Sequence, residues 1–206
     1  MPIDLSKEVR RRGAMAQADA VSLVAGEPIR GSWWAHPRGE EIFQALSALA
    51  DDPDVVPCKG FDGKQRWIHR TLWPALVRAS RERALFAAPS AEARRLLQRA
   101  EREGKAAASG KARLELERSL LVVAVQEHTE SGKHVMRLTP FERWFPADVR
   151  RAADRMTAEA ALKRLVQAGL PARGGPTDAG AALDRPAREG ARRRRDRALP
   201  AGRRNR

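Results

Sequence analysis

The chain has 206 residues, which suffices for one large domain or two small ones, and its hydrophobic fraction of 42% is near the globular average. The formal net charge is +14, and half of this excess lies in residues 171–206, where eleven arginines face four carboxylates. A basic balance favours polyanionic partners. The single cysteine argues against an intrachain disulfide, and the lack of long apolar runs argues against a membrane-spanning helix. With no visible signal peptide, these features predict a cytoplasmic protein without a membrane partner.

The first part of the chain contains a basic cluster followed by helical patterns. Four basic side chains lie within residues 7–12, and we predict a flexible basic arm over residues 1–13. Residues 14–25 have a weakly apolar helical face, and Gly26 suits the end of this helix. The strongest helical pattern of this half spans residues 40–50. Its apolar side chains fall on one face and are Ile42, Phe43, Leu46 and Leu49.

A β-hairpin is predicted after this helix. Two β-prone runs, residues 55–61 and 64–70, flank Asp62-Gly63, and an Asp-Gly pair in this setting is a strong hairpin signal. Pro57 cannot donate a ladder hydrogen bond, which predicts a free edge for the first strand. We assign these helices and the hairpin to one unit over residues 14–87.

The chain from residue 88 to residue 145 repeats this pattern. Ser90 is placed to cap a helix that ends at Gly104, a second helix is predicted over residues 110–120, and two strands flank a turn at residues 130–133. The order of helix, short connector, helix, strand, turn and strand resembles that of the winged-helix superfamily. The resemblance is one of architecture, and it implies a DNA-binding module whose second helix contacts nucleic acid.

The end of the chain changes in composition. One further helix is predicted over residues 146–170. Beyond it, large apolar side chains almost vanish, and such a segment buries too little surface to offset its ordering entropy, so residues 171–206 are predicted to be disordered. Arginine runs such as residues 192–195 add non-specific affinity for nucleic acid, or form an extension without a function. The predicted fold class is α+β, mainly helical, with two helix–β-hairpin units, of which the second is winged-helix-like, and a basic tail.

Eight basic side chains form the candidate nucleic-acid-binding set. They are Lys64, Arg66, Arg70, Lys111, Arg113, Arg118, Lys133 and Arg137. Alternation along the second hairpin strand places Lys64, Arg66 and Arg70 on one face of the sheet, opposite Trp67. This pattern predicts an exposed basic face that could hold a phosphate backbone, although an ordinary solvated face is an equal alternative.

The second helix of the winged-helix-like unit supplies the other candidates. Lys111 and Arg118 share one helical face with Glu115, which dilutes the positive charge. The turn of the second hairpin offers Lys133, with Arg137 behind it. A charged face used for protein contacts explains this helix as well as a phosphate-binding face does.

A possible aromatic and histidine surface lies within residues 31–39, around Trp33, Trp34 and His36. In an extended segment one indole would fill the core while the other stayed at the surface, where it could stack on a base; alternatively, both indoles pack as a clasp. His36 and His69 could form a proton-transfer pair. The sequence contains no motif for a nucleophile, a metal or a nucleotide. We therefore expect no catalytic activity, no metal and no cofactor.

These patterns together predict a non-enzymatic nucleic-acid-binding protein of the bacterial cytoplasm, with DNA as the preferred partner. A protein-interaction or scaffold module that does not bind nucleic acid is the alternative. An enzyme centred on His36 and His69 is a third hypothesis.

Overall fold

The computed structural model describes residues 3–128 and 134–171. The protein is α+β and mainly helical, with small antiparallel sheets, as the sequence predicts. In these ranges the helices are α1 (Leu5–Arg12), α2 (Gln17–Ala25), α3 (Gly39–Ala50), α4 (Trp73–Ser80), α5 (Ala91–Glu103), α6 (Gly110–Arg118), α7 (Phe141–Trp144), α8 (Ala147–Asp154) and α9 (Ala158–Gln167). The strands are β1 (Ala14–Ala16), β2 (Val55–Cys58), β3 (Arg66–His69), β4 (Ala106–Ala107), β5 (Val122–His128) and β6 (His134–Pro140).

Helix α1 corrects the prediction of a flexible arm over residues 1–13. Asp4 caps the helix by accepting a hydrogen bond from the Lys7 amide at 3.0 Å. Leu5 and Val9, one turn apart, are 3% and 0% exposed. Burial of such a side chain contributes about 1.5–3 kcal/mol. The segment is therefore anchored by two apolar positions, while its arginines lie on the outer face.

The first sheet has the strand order β1-β3-β2, so β3 is its central strand. Ile68 of β3 lies opposite Ala14 on one side and Val56 on the other, and both pairings are antiparallel. The predicted hairpin is thus confirmed, and Pro57 lies on the edge strand β2, where its missing N–H is tolerated. The short strand β1, which completes the sheet, replaces the first turn of the helix predicted over residues 14–25.

The two helices that follow β1 pack on each other. Helix α2 ends at Gly26, which adopts the predicted left-handed conformation with φ of 84°. Helix α3 confirms the helix predicted over residues 40–50. Its buried large side chains are Ile42, Leu46 and Leu49. Phe43, which was assigned to the same face, is instead 49% exposed, because it lies about 100° around the helix from the buried stripe.

Residues 91–140 fold in the order α5, β4, α6, β5 and β6, with the strand order β4-β6-β5. The Ser90 hydroxyl accepts a hydrogen bond from the Ala93 amide at 3.2 Å, as predicted for a cap of α5. Ala106, which falls in the predicted connector, pairs with Leu138. In both sheets the strand that comes last in the chain lies in the middle, so the two halves of the protein have the same strand order.

A shared hydrophobic core joins these two halves. Val56 and Ile68 of the first sheet belong to the same buried cluster as Leu120 and Val123 of the second half. Helices α4, α8 and α9 contribute to this cluster as well. The first hairpin therefore packs against the start of β5.

The C-terminal part of the described chain contains two helices where one was predicted over residues 146–170. Helices α8 and α9 are separated at residues 155–157, and the Thr157 hydroxyl caps α9 by accepting a hydrogen bond from the Ala160 amide at 3.2 Å. The predicted disorder of residues 171–206 falls, except for Pro171, outside the described residues. In the part of the chain that is described, no helix has the length and apolar character needed to span a membrane.

Candidate nucleic-acid interface

The exposed basic face predicted for the first hairpin is not formed. Both faces of β3 are covered, since Trp67 is 7% exposed and Ile68 is 0% exposed. The guanidinium of Arg66 binds both carboxylate oxygens of Asp62, at 2.5 and 2.9 Å. This pairing holds the pKa of Asp62 below its usual range. The prediction was wrong because alternation separates the two faces of a strand but does not show what packs on each of them.

Arg70 lies just beyond β3, in a turn of 3-10 helix. Its Nη1 atom is 2.9 Å from Oδ1 of Asp54, and its guanidinium lies 5.8 Å from the ring centroid of Trp73. The ion pair is about half exposed, so it contributes at most about 1 kcal/mol. Arg70 is therefore engaged within its own unit and does not continue a basic sheet face.

Arg113 is enclosed in a buried ion triad between the two halves of the protein. Its Nη1 atom is 2.8 Å from Oε2 of Glu117, and Nζ of Lys59 is 3.4 Å from the other oxygen of the same carboxylate. Glu117 is only 6% exposed. The Nε atom of Arg113 is buried without a hydrogen-bond partner. A guanidinium held in this way supports the junction of the two halves and is not presented to a phosphate.

The second hairpin offers less free positive charge than its sequence predicts. Nε of Arg137 is 3.3 Å from Oε2 of Glu127, and Nζ of Lys105 is 3.1 Å from the other oxygen of that carboxylate. One carboxylate therefore offsets part of the charge of two basic groups. The predicted contact at Lys133 lies outside the described residues, as does the rest of the turn that holds it.

Three of the predicted cations, Lys64, Lys111 and Arg118, belong to the first hairpin loop and to α6, which are in contact. The guanidinium of Arg118 packs over Gly63, which directly precedes Lys64, and the Phe61 amide donates a hydrogen bond to the Arg118 carbonyl at 3.0 Å. Lys111 precedes Arg118 by seven residues, so both project from the same face of α6, about 10 Å apart along its axis. All three side chains are exposed, and none forms an ion pair with a described carboxylate.

Glu115, which was expected to dilute this face, points toward the beginning of α5. Its Oε2 atom accepts a hydrogen bond from the Ser90 amide at 3.0 Å. This hydrogen bond is the main reason that the pKa of Glu115 lies below its usual range. The carboxylate forms no close ion pair with Lys111 or Arg118, but the charge of Lys111 also helps to lower the pKa of Glu115, so Glu115 still offsets part of the positive charge of this face. We call Lys64, Lys111 and Arg118 the basic edge.

The tryptophan pair adopts a 3-10 turn and is not extended. The two indoles stack with centroids 4.1 Å apart and an interplanar angle of 23°. Trp33 is partly buried, whereas Trp34 is 65% exposed. His36 holds the end of this turn, because its Nδ1 atom accepts a hydrogen bond from the Arg38 amide at 3.2 Å and its Nε2 atom lies 3.1 Å from Oε1 of Glu27. The exposed indole of Trp34 is thus presented by a fixed turn.

His36 and His69, the two histidines considered as a proton-transfer pair, do not share a hydrogen-bond partner. His69 is 5% exposed, and its Nδ1 atom accepts a hydrogen bond from the Thr71 amide at 3.3 Å. Neither His36 nor His69 lines the cleft of about 480 Å³ at the junction of α4, α5 and α7.

Burial raises the pKa of the Cys58 thiol to about 11, which leaves it un-ionised at neutral pH. Among the described residues, no group of His, Cys, Asp or Glu is arranged to hold a metal ion.

Three features of the protein surface were not predicted from the sequence. The contact of Gly63 with Arg118 joins residues that are 55 positions apart, and no local pattern predicts it. The exposure of Phe43 was not predicted, because the helical pattern assigned Phe43 to the same face as Ile42, Leu46 and Leu49. The proximity of Phe43 to the exposed ring of Trp34, at 5.5 Å between centroids, likewise depends on the turn before α3.

In comparisons with known proteins, no family model, no curated protein and no solved structure matches this chain.

Proposed function

We propose that the protein is a non-enzymatic nucleic-acid-binding protein that contacts the phosphate backbone through the basic edge. The observation that carries this proposal is the position of the first hairpin loop against α6, which adds Lys64 to the helical face of Lys111 and Arg118. None of these exposed cations forms a close ion pair, so each can attract a phosphate without first breaking one, while the charges of Asp62 and Glu115 still act on Lys64 and Lys111. The edge draws on both halves of the protein, so it exists only in the folded chain.

The resemblance to a winged helix supports this choice. Residues 91–140 have the order helix, short strand, helix, strand and strand, and the first half has the same strand order in its sheet. We propose DNA as the preferred partner because the major groove of B-DNA admits an α-helix, whereas the major groove of A-form RNA is too narrow for one. Helix α6 is the element that presents two of the three cations.

The segment beyond Pro171 adds a second electrostatic contribution to this proposal. Its eleven arginines and four carboxylates give it a net charge of +7, which favours sequence-independent contacts with phosphates. Lys133 belongs to the proposed contacts on sequence grounds alone. A cytoplasmic location is part of the same proposal and agrees with the single, buried and un-ionised Cys58.

The test compares two charge-matched triple variants of the full chain. The first carries Lys64→Ser, Lys111→Ser and Arg118→Ser, which removes the basic edge. The control removes three exposed cations of α8 and α9 by Arg151→Ser, Lys163→Ser and Arg164→Ser. Fluorescence anisotropy with a labelled DNA duplex, a matched RNA duplex and a single strand measures affinity as a function of salt concentration.

Removal of the basic edge is expected to weaken DNA binding roughly tenfold or more at about 50 mM salt and to reduce the slope of log affinity against log salt by about 3. The control variant is expected to stay close to the unmodified chain. Equal losses in the two variants would show that only net charge matters. Failure of the unmodified chain to bind any of the three probes at low salt would refute the proposal.

A protein-interaction function is the second candidate, and one specific observation favours it. Trp34 and Phe43 form an exposed aromatic pair on a part of the surface that carries no member of the basic edge. Exposed adjacent aromatic side chains are typical of interaction surfaces. This face needs an occupant of different chemistry from a phosphate backbone.

A further inference from the structure

The aromatic pair lies on the outer side of α3, at its first turns. Trp34 is 65% exposed, Phe43 is 49% exposed, and their ring centroids are 5.5 Å apart. In the described part of the chain only one other large hydrophobic side chain, Val166, is comparably exposed. Two of three such side chains therefore lie side by side, which indicates a surface kept apolar for a partner.

The position of this pair is fixed by the backbone beneath it. Trp33 stacks on Trp34 at 4.1 Å. A Cβ atom on Gly39 would lie 3.1 Å from the Trp34 carbonyl oxygen and 3.3 Å from that of Trp33, so a side chain at this position would push the turn away from α3 by a few tenths of an ångström. Phe43 follows Gly39 by one helical turn. A surface that is already ordered loses little conformational entropy when a partner binds.

The chain next to the pair carries a small excess of carboxylates, although the protein is basic. Residues 27–43 contain three carboxylates and two arginines, and Arg38 is paired with Glu41. Glu40, one turn before Phe43, is exposed, and its carboxylate accepts a hydrogen bond from the side-chain amide of Gln44 at 3.2 Å. The side chain of Glu27 is 68% exposed beside His36. Glu27 and Glu40 form no ion pair with a lysine or arginine of the described chain, so they can pair with a cationic partner.

We propose that this aromatic–acidic face, formed by Trp34, Phe43, Glu40 and Glu27, binds arginine side chains of the chain's own C-terminal segment, residues 185–206. That segment contains ten arginines and two carboxylates. A guanidinium stacks on the face of an indole or phenyl ring and pairs with a neighbouring carboxylate at the same time, which a lysine ammonium does less well. The aromatic–acidic face and its proposed arginine ligands are therefore present in one chain.

The length of the chain permits this contact. Leu170 is 3% exposed and packed in the main core, so the segment starts from a fixed point on the body. The 22 residues from Pro171 to Arg192 span at most about 70–80 Å when extended. A body of about 170 residues has a radius of gyration of about 15 Å. The arginines can therefore reach any face of the body.

This docking does not depend on the proposed nucleic-acid function. If the protein binds nucleic acid as proposed, the same arginines have two competing sites, and docking on the aromatic–acidic face withholds them from phosphates. The first arm of the test therefore contains no nucleic acid, so that docking and nucleic-acid binding succeed or fail separately.

The first arm measures acrylamide quenching of Trp34 in the full chain, taken as the difference between the unmodified protein and its Trp34→Phe variant. Replacement of the four arginines at 192–195 by serine is expected to raise the quenching constant of Trp34 roughly twofold, because a guanidinium shields one face of the ring. A charge-matched control replaces Arg151, Arg155, Lys163 and Arg164 by serine and is expected to leave quenching unchanged. Identical quenching of Trp34 in all three proteins would overturn the proposal.

The second arm adds a labelled peptide of residues 185–206 to the full-length variant that carries the four serines. The combined changes Trp34→Ala and Phe43→Ala are expected to weaken binding at least tenfold, as are Glu27→Gln and Glu40→Gln together, whereas Val166→Ala is expected to have no effect. Peptide binding that ignores all of these changes would overturn the proposal. Circular dichroism of each variant verifies that the fold is retained.

Two further outcomes would assign the face to another occupant. Shielding of Trp34 that grows with protein concentration would indicate docking between separate copies of the chain. Shielding of Trp34 by an added oligothymidine, but not by the arginine peptide, would indicate base stacking. Either result overturns docking of the chain's own segment.

Discussion

The guanidinium of Arg118 lies directly over Gly63, in the space that a side chain at this position would occupy. A Cβ atom on Gly63 would clash with Nε of Arg118 and lie 3.1 Å from its Cζ atom. The neighbouring Phe61 amide bonds to the Arg118 carbonyl at 3.0 Å, and Leu120 packs equally closely against Gly60. The loop of the first hairpin is thus fastened to the end of α6 by close backbone approach.

The first prediction is that Gly63→Ala destabilises the protein more than an alanine at an open glycine with the same backbone. Gly63 has φ of 77°, and Gly104 has φ of 78° with nothing within 4 Å of an added Cβ. Backbone strain alone costs about 1 kcal/mol at either position, and moving the exposed Arg118 side chain out of its rotamer adds about 0.5–1 kcal/mol at Gly63 only. Urea unfolding of both variants measures the difference. Equal free energies of unfolding would show that Arg118 moves aside freely.

The second prediction concerns α1, which holds two apolar side chains in an otherwise charged segment. Val9 is 0% exposed, and Val9→Ala is expected to lower the free energy of unfolding by about 1–3 kcal/mol. Arg10 is exposed on the same helix, and Arg10→Ala is expected to change it by less than about 0.5 kcal/mol. Thermal and urea unfolding check both values. A silent Val9→Ala variant would indicate that α1 does not contribute to the cooperative fold.

Local signals in the sequence were sufficient for several elements of the fold. The Ser90 cap, the stop at Gly26 and the hairpin around Asp62 each depend on residues within a few positions of one another, and the structure contains all three. The short strand β1 could not be predicted in this way. It is defined by its pairing with β3, more than 50 positions away, and three residues carry too weak a pattern of their own.

In the candidate site, too, features set by nearby residues were predicted, whereas features set by distant contacts were not. The shared face of Lys111 and Arg118 follows from their spacing on one helix, and it was predicted. The enclosure of Arg113 was not predictable, because Lys59, which completes its ion triad, comes from the other half of the protein. Counting basic residues overestimates the free positive charge wherever a carboxylate lies close by, either on the same helix, as Glu117 does for Arg113, or in a distant segment, as Asp54 does for Arg70.

The third prediction is that Glu117→Gln strongly destabilises the junction of the two halves. The change leaves the partly buried charges of Arg113 and Lys59 without their carboxylate, which costs about 2–4 kcal/mol. The control is Glu41→Gln, which removes an exposed pair with Arg38 and is expected to lower the free energy of unfolding far less. Urea unfolding measures both variants. A loss no larger than that of the control would contradict the burial of the triad.

The last prediction is a loss of stability as pH falls below about 6.5, caused in part by His69. Burial is the main reason that the pKa of His69 lies below its usual value, and Arg10 and Arg70 lower it further, while Asp54 and Asp52 partly oppose them. The unfolded chain therefore takes up the proton at a higher pH than the folded chain does. The contribution of neutral His69 to the free energy of unfolding is fully present above the pKa of His69 in the unfolded chain, and it declines as pH falls toward the pKa of His69 in the folded chain.

His69→Gln removes the titrating imidazole and keeps a side chain that can form a hydrogen bond with Thr71. The free energy of unfolding of the unmodified protein is expected to fall more between about pH 7.5 and pH 5.5 than that of the variant. Carboxylates titrate in both proteins, so the difference between the two pH profiles isolates the histidine. Parallel profiles would show that His69 takes up a proton as readily in the folded chain as in the unfolded one. A steeper profile for Asp54→Asn would be expected in addition, because this carboxylate favours the protonated ring.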